Sequence, residues 1–403
     1  MVVGILFDRA VPTSGGTASL LTTISKELYS REAKENALQF VVCYYGNGHC
    51  FREIRNGYTH YDLTAARKRY FWKNVWKSFI CLIKNSRSQT HSGDRHFSNA
   101  SVLDCLANEE QIDAYWFTSA ILEKVSKPYI FTIWDLGHRT LPMLPEVSDC
   151  INAWKIRENT YQSMIAHASY IITANQTGKK EILDNYSVSG DKIRIVDFPL
   201  ASLVYEKEEK PRIELADEYF MYPAQFWSHK NHIRILEALD VLKKKYNKRP
   251  VVYFIGSDAG NLKFIQKRTK ELELEDQVVF LGFIKNSELV YIYKHAKGMV
   301  YASLMGPNNM PPYEAVYFGC PVIISRIPGH KEQMGDAAFF FDPYNAEELA
   351  EQMFCVLEKA EYTKGILINS QILKSRISEN NYVKDVASVF NELRSQIQTY
   401  KRV

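Results

Sequence analysis

Two places in the second half of this 403-residue chain combine residue types and spacing that suit a phosphorylated, hydroxyl-rich ligand. The apolar run Tyr219-Phe220-Met221-Tyr222 is followed by Pro223-Ala224-Gln225-Phe226-Trp227-Ser228-His229-Lys230-Asn231-His232, which opens a helical pattern. A lysine at a strand-to-helix turn adds a point charge to the positive end of a helix dipole, a combination that holds phosphate. A solvated lysine near a helix start would leave the same trace. The second place is the Gly/Pro/Asn-rich turn from Ser303 to Pro312, which leads into a helix expected to carry Glu314 in its first turn. Exposed amides in such a turn bond a polyhydroxylated ligand, and a carboxylate accepts from the two hydroxyls of a ribose. A glutamate complementing its own helix dipole is the structural alternative.

These residues need a scaffold, and the chain supplies short β-branched and aromatic runs alternating with longer helical patterns. Strands are expected at 2–8, 40–46, 114–118, 128–134, 169–174 and 192–197, then at 219–224, 250–256, 277–282, 298–303, 321–326 and 338–341. Several are continuously apolar, as in Val251-Val252-Tyr253-Phe254-Ile255. That pattern marks strands buried on both faces, in parallel sheets covered by helices. The alternation predicts two Rossmann-like, doubly wound α/β domains facing a central cleft, with ligands at the carboxyl ends of the strands. The charged, Pro-punctuated stretch 199–218, with Glu206-Lys207-Glu208-Glu209-Lys210, is expected as the linker. The domains are then 1–203 and 204–380. A last helix follows at 381–403, apolar at Val383, Val386, Val389, Phe390 and Leu393 and packing back toward the first domain. Residues 85–100 are polar and loop-like.

Two strand ends in the first half add candidates. Pro12-Thr13-Ser14-Gly15-Gly16-Thr17 follows the first strand and opens a helix. Gly15 and Gly16 there either let backbone approach an anionic ligand or make a plain tight turn. The strand ending at Ile133 runs into Trp134-Asp135-Leu136-Gly137-His138-Arg139, placing an acid, an imidazole and a guanidinium at the ligand-facing end of a parallel strand.

Composition narrows the setting. Seven scattered cysteines, with no C-x-x-C pair, point to a reducing compartment rather than a disulfide framework. The N-terminal Val2-Val3-Gly4-Ile5-Leu6-Phe7 reads as a buried strand, not a signal peptide. No apolar stretch approaches the ~20 residues needed to span a bilayer. The chain is therefore expected in the cytoplasm. A net charge of +4 with no accompanying motif gives no case for nucleic acid. One segment, 67–84, contains no acid and sets Arg69, Lys73, Lys77 and Lys84 opposite Phe71, Trp72, Val75, Trp76, Phe79, Leu82 and Ile83 at helical spacing. It suits a helix lying on an anionic bilayer, at the cytoplasmic face of the membrane, or one packing on its own domain with a basic outer side.

Taken in order, the second-half motifs resemble the donor-binding half of glycosyltransferase family 4, retaining enzymes of the GT-B fold. The resemblance rests on Lys230-Asn231, Phe254-Ile255-Gly256, Phe280-Leu281-Gly282-Phe283, Pro311-Pro312-Tyr313-Glu314-Ala315, Gly319-Cys320-Pro321-Val322, Gly329-His330-Lys331-Glu332 and Phe341-Asp342-Pro343, and covers about 219–395. It implies a hexosyltransferase that moves a sugar from a UDP-, GDP- or dTDP-linked donor to a glycan or lipid-linked acceptor in surface polysaccharide synthesis, with retention. Residues 1–203 would bind the acceptor and 204–380 the nucleotide sugar. Glu314 would bind the ribose and Lys230 the diphosphate, which it would stabilise as the leaving group. Amides near Asn308, Asn309 and Met310 would hold the donor sugar, and Phe283 would line the nucleotide site. Gly15 and Gly16 would lie beside the phosphates. His138 would contact donor sugar or acceptor, with Asp135 orienting it or binding the acceptor. No D-x-D occurs, in keeping with a site that needs neither metal nor cofactor. The chain departs from the pattern at Gly306, where a glutamate is usual, and at Ala224, where a basic residue is usual; Gln225, His229 or Arg326 are the candidates to replace that charge. These departures leave open a catalytically weak sugar-nucleotide-binding subunit supporting a partner transferase; another GT-B enzyme, a nucleotide-sugar epimerase, is a third reading.

Overall fold

The apolar runs pair into two sheets. The computed structural model describes residues 1–8, 16–28, 38–72, 101–148 and 153–400. The first sheet contains β1 (Val2–Phe7), β2 (Gln39–Tyr44), β3 (Arg52–Arg55), β4 (Tyr58–Asp62), β5 (Ala114–Phe117), β6 (Tyr129–Thr132), β7 (Tyr170–Thr173) and β8 (Ile193–Ile195), in the order β3-β4-β2-β1-β5-β6-β7-β8. The second contains β9 (Tyr219–Pro223), β10 (Val251–Ile255), β11 (Val278–Gly282), β12 (Gly298–Tyr301), β13 (Val322–Ser325) and β14 (Phe339–Phe341), in the order β11-β10-β9-β12-β13-β14. Every pairing is parallel except β3 with β4. The strands that read as continuously apolar are buried along most of their length, β12 and β13 throughout, because helices cover both faces.

The hairpin β3–β4 was not among the expected strands. Its signal is Asn56-Gly57, both with positive φ (51° and 83°), the pair that a two-residue hairpin turn demands. β3 lies at the sheet edge, mostly exposed, so its charged sequence Arg52-Glu53-Ile54-Arg55 hides the strand from an apolar-run reading.

The stretch expected as linker divides in two. Leu200, Ala201, Leu203 and Val204 are buried core. A 3-10 turn over Ser202–Tyr205 packs there on the helix Gly16–Leu28, with Ser202 N donating to Thr23 Oγ1 at 2.9 Å. The charged run beyond it lies on the surface, where Glu208 pairs with Lys294 and Glu209 with Lys285. Such exposed pairs contribute little. The last helix, Tyr382–Tyr400, lies against the first sheet's domain. Its Tyr382 ring sits 6.0 Å from both Trp116 and Trp134. Its Glu392 accepts from Tyr170 Oη at 2.8 Å and Arg194 Nε at 3.0 Å.

Polar contacts also tie the two sheets' domains together across the cleft. Asn175 caps the helix Gln176–Asn185 by accepting from Gly178 N at 2.9 Å, and its Nδ2 donates to the carbonyl of Pro307. At the same helix end, Glu332 accepts from Gln176 N (2.7 Å), Thr177 N (2.8 Å) and Thr177 Oγ1 (2.7 Å). A carboxylate at a helix N-terminus is favoured by the free amides and the dipole. Glu332 is exposed, so Glu332→Ala should cost only about 1 kcal/mol of stability. It should nonetheless enlarge the radius of gyration in small-angle scattering as the domains part; an unchanged radius would show that this contact does not hold them.

Candidate active site

The strand order β11-β10-β9-β12-β13-β14 reverses direction between β9 and β12, and in such sheets the crevice at the reversal takes the ligand. A cleft of about 540 Å³ lies there, lined by Lys230, Tyr301, Asn309 and Glu314 from the second domain and by Trp134 and Asp135 from the first.

Lys230 ends a 3-10 turn (Ser228–Lys230), and Asn231 then takes a left-handed conformation (φ 56°) before the helix His232–Lys245. Asparagine tolerates that conformation, and its Nδ2 is anchored on the carbonyl of Pro343 at 2.9 Å. The Lys230 carbonyl accepts from Tyr222 Oη at 2.6 Å, so the turn is fixed from both ends. Its Nζ donates to Tyr301 Oη at 2.8 Å and lies 3.5 Å from Asn309 Oδ1. Among the described residues it forms no ion pair, and it is the one Lys or Arg lining the cleft. Burial pulls its ammonium down to about 8, with the Asp135 and Glu146 carboxylates partly offsetting the drop.

The helix Met310–Phe318 begins ahead of its two prolines, because proline costs no hydrogen bond in a first turn. Glu314 therefore lies in the second turn, not the first as expected, and does not complement its own helix end. It is buried, with Oε2 accepting from Tyr293 Oη at 2.8 Å. Burial pushes its carboxyl up to about 7, with the Tyr293 bond pulling weakly the other way. Across the cleft mouth Phe283 is 67% exposed and follows Gly282, offering an aromatic face to a planar group.

The asparagine pair divides its work. Asn309 N donates to Gln333 Oε1 at 3.1 Å, so this amide is already engaged. Its Oδ1 also accepts from Tyr301 Oη at 2.9 Å. Asn308 Nδ2 donates to Asp197 Oδ1 at 2.8 Å, linking the loop before the helix Met310–Phe318 to the segment after β8, while its Oδ1 has no partner among the described residues. Met310 lines the cleft at the helix start.

Both departures from the family pattern have structural consequences. Gly306 adopts φ 116°, and a Cβ there would lie 2.6 Å from Asn309 Nδ2, so a glutamate would displace that side chain. None of the candidates to replace a basic residue at Ala224 does so. Gln225 Nε2 donates to Ser257 Oγ at 2.8 Å, and Arg326 pairs with Glu348. His229 is bound to Glu146, with ring and backbone nitrogens 2.5 and 3.0 Å from Oε1, and burial lowers its imidazole.

In the first domain, Asp135 lines the cleft. Its Oδ1 accepts from Arg157 Nη2 at 2.6 Å and Gly137 N at 2.8 Å. Burial would raise this carboxyl, but the Arg157 charge and the Gly137 amide outweigh it and hold it below the usual range. His138 does not line the cleft, which corrects the expectation that it touches sugar or acceptor. The four-residue helix Gly137–Thr140 turns it into the interior, where Nε2 is 3.1 Å from Glu158 Oε2 and 3.3 Å from Tyr186 Oη. Burial lowers its imidazole, so it is a neutral packing group. Trp134 lines the cleft and is pinned by Nε1 donating to the Thr118 carbonyl at 2.7 Å. Gly16 begins the helix Gly16–Leu28; Gly15 and the loop before it lie outside the described residues. Tyr301, Tyr293 and Gln333 hold the site, yet nothing in their local sequence distinguishes them from ordinary strand and helix residues.

Comparison with known proteins agrees with this geometry. A family model described as glycosyl transferases group 1 matches residues 205–371. The O-antigen chain mannosyltransferase RfbU of Salmonella typhimurium is 26% identical over 246 residues, 57% of this chain and 65% of that protein. The chain thus spans less than two thirds of that relative's length. Sucrose-phosphate synthase from Thermosynechococcus elongatus has a TM-score of 0.70 at 14% identity, over 99% of both chains. Anabaena HepE in complex with UDP-glucose has a TM-score of 0.64 at 15% identity, over 98% of this chain and 100% of that one. These likenesses establish the fold, GT-B.

A carboxyl raised from 4.5 to about 7 strains the fold. Its carboxylate weakens folding progressively as pH rises from 4.5 through 7, and fully above that. Glu314→Gln should therefore stabilise the protein at pH 8 by on the order of 2 kcal/mol. Thermal unfolding at pH 5 and pH 8 checks this, since the gain should nearly vanish at pH 5.

Proposed function

We propose that this chain is a group 1 glycosyl transferase, the family whose model matches residues 205–371, and that it transfers a hexose from a nucleoside-diphosphate sugar to a glycan or lipid-linked acceptor, with retention, in surface polysaccharide synthesis. The observation that carries this is Lys230, a half-buried ammonium on the cleft wall whose hydrogen-bond partners are neutral. A diphosphate supplies the missing countercharge, and the same lysine stabilises it as the leaving group, a preorganised electrostatic effect. Glu314 accepts from the ribose hydroxyls, Phe283 stacks on the base, and the amides of Asn308 and Met310 meet the donor sugar. Asp135, kept ionised by Arg157 on the opposite wall, is the group placed to accept a hydrogen bond from the acceptor hydroxyl. Residues 1–203 are the acceptor side and 204–380 the donor side, with 381–403 closing back on the former. The mannosyltransferase relative makes a nucleoside-diphosphate mannose the first donor to test.

The two titrating groups set the pH dependence. Protonating Glu314 removes the ribose acceptor below about pH 7, and deprotonating Lys230 removes the cation above about pH 8. Thermal shift with UDP, GDP, dTDP and their sugars should show one preferred nucleotide, with affinity greatest at pH 7–8 and falling roughly tenfold per unit beyond either limb. Lys230→Ala should abolish the shift and turnover; a full shift in that variant would sink the assignment.

Membrane contact fits a lipid-linked acceptor at the cytoplasmic face. Residues 63–72 are helical, with Phe71 63% and Trp72 61% exposed beside exposed Arg67, Lys68 and Arg69, while 73–84 lie outside the described residues. Among the described residues no helix is long and apolar enough to cross a membrane. Replacing Phe71 and Trp72 together by Ser should lower flotation with phosphatidylserine vesicles several-fold. Equal flotation of the variant would refute this contact.

A further inference from the structure

The diphosphate reading leaves open why Asn309 turns its oxygen, rather than its amino group, toward Lys230. The answer lies one shell out, in a histidine that faces away from the ligand. His330 is fully buried, on the helix Pro328–Met334. Its Nδ1 lies 3.0 Å from the carbonyl of Ser325, an acceptor only, so Nδ1 carries the hydrogen. Ser325 Oγ, also 3.0 Å from Nδ1, spends its own hydrogen on the Ser303 carbonyl at 2.5 Å and so cannot donate to the ring. Burial pushes the imidazole down to about 3, with the nearby Lys230 charge acting in the same direction, so the ring holds one proton only. Nε2 is therefore bare. It accepts from Asn309 Nδ2 at 2.9 Å, which leaves Oδ1 as the end that meets Tyr301 Oη and Lys230 Nζ.

We propose that His330 is a positioning residue for the donor site: through its bare Nε2 it locks the Asn309 carboxamide with Oδ1 toward Lys230, and this dipole helps keep the lysine charged for a diphosphate. Were the ring to carry its hydrogen on Nε2, Asn309 would flip and point its amino group at the ammonium, opposing the charge the ligand needs. The other groups that act on Lys230 are Asp135 and Glu146 from the first domain and His229, His232 and Tyr301 from the second. Asp135 and Glu146 are tied to Arg157 and His229, so neither makes an ion pair with Lys230. The relay also accounts for Gly306, because a side chain there would collide with Asn309.

The relay can be tested without any ligand, although its purpose rests on the diphosphate reading. Protein labelled with ¹³C-lysine is titrated by NMR from pH 6 to 10, the Lys230 signal being assigned by its loss in Lys230→Arg. His330→Leu, which removes both ring nitrogens, should lower the Lys230 midpoint by about half a pH unit or more, and Asn309→Asp should raise it by at least as much. Because the buried His330→Leu variant is at risk of misfolding, the ring ¹⁵N shifts of His330 in the wild-type protein give a second reading: Nδ1 should show as the protonated nitrogen and Nε2 as the bare one, and the reverse tautomer overturns the proposal. A midpoint unmoved in folded Asn309→Asp, or moved the same way in both variants, overturns the proposal. UDP and GDP affinities should then shift their alkaline limb in step with the NMR midpoint. Midpoints that move while nucleotide affinity stays fixed would uphold the relay and refute the diphosphate reading.

Discussion

A lysine ammonium drawn partly out of water, with no carboxylate in contact among the described residues, is expensive, and the surroundings of Lys230 are arranged around that cost. Two neutral oxygens, Tyr301 Oη and Asn309 Oδ1, solvate the cation in place of water. They do so incompletely, as the drop to about 8 records. A carboxylate in contact would cancel the charge and occupy the phosphate position. The nearby acids are instead committed elsewhere, Asp135 to Arg157 and Glu146 to His229. These pairs let the acids contribute field at a distance while leaving the contact position to a ligand. Because Glu146 and Asp135 come from the first domain, the charge state of the donor lysine depends on how closely the domains approach. The Glu332 and Asn175 contacts that hold that approach therefore bear on chemistry as well as shape.

The two cleft carboxyls show one functional group set to two states by its neighbours. Asp135 has a guanidinium and a backbone amide on one oxygen and stays ionised despite burial. Glu314 has a single phenol and sits near neutrality. A group poised near its midpoint gains most from a ligand that favours one state, and ribose hydroxyls favour the carboxylate. Under the proposed assignment, donor binding would relieve two strained groups at once, Lys230 and Glu314. The free protein gives up stability at both positions, as functional sites commonly do.

Much of this was legible in the sequence, for identifiable reasons. Apolar runs gave the strands of both sheets because parallel strands are buried on both faces. The motifs around Lys230 and Glu314 gave the ends of β9 and β12 because backbone-level constraints, a left-handed asparagine and first-turn prolines, leave marks in residue type. The edge strand β3 was hidden by its charge, although Asn56-Gly57 announced the hairpin. His138 was misplaced because sequence shows that a residue follows a strand but not which way a short helix turns it. Tyr301 and Tyr293 were invisible for a related reason. Each acts on a partner 71 or 21 residues away, and no local pattern records such a pairing.

The two departures from the family pattern are best understood together. A site with a glutamate at 306 and a basic residue at 224 would carry one more anion and one more cation than this one. Removing either alone would change the net charge facing the ligand and leave the other buried without its counterpart, which is the costly case. Removing both conserves the balance, with Lys230 remaining as the cleft's cation beside the carboxyls of Glu314 and Asp135. The space beside Gly306 is taken by the Asn309 carboxamide, a neutral group that still presents an oxygen to the lysine. The arrangement in this chain is a hydrogen-bonded one, whose geometry must be held by the residues behind it. That requirement is why His330 and Gln333, neither of which lines the cleft, grip Asn309 from three sides.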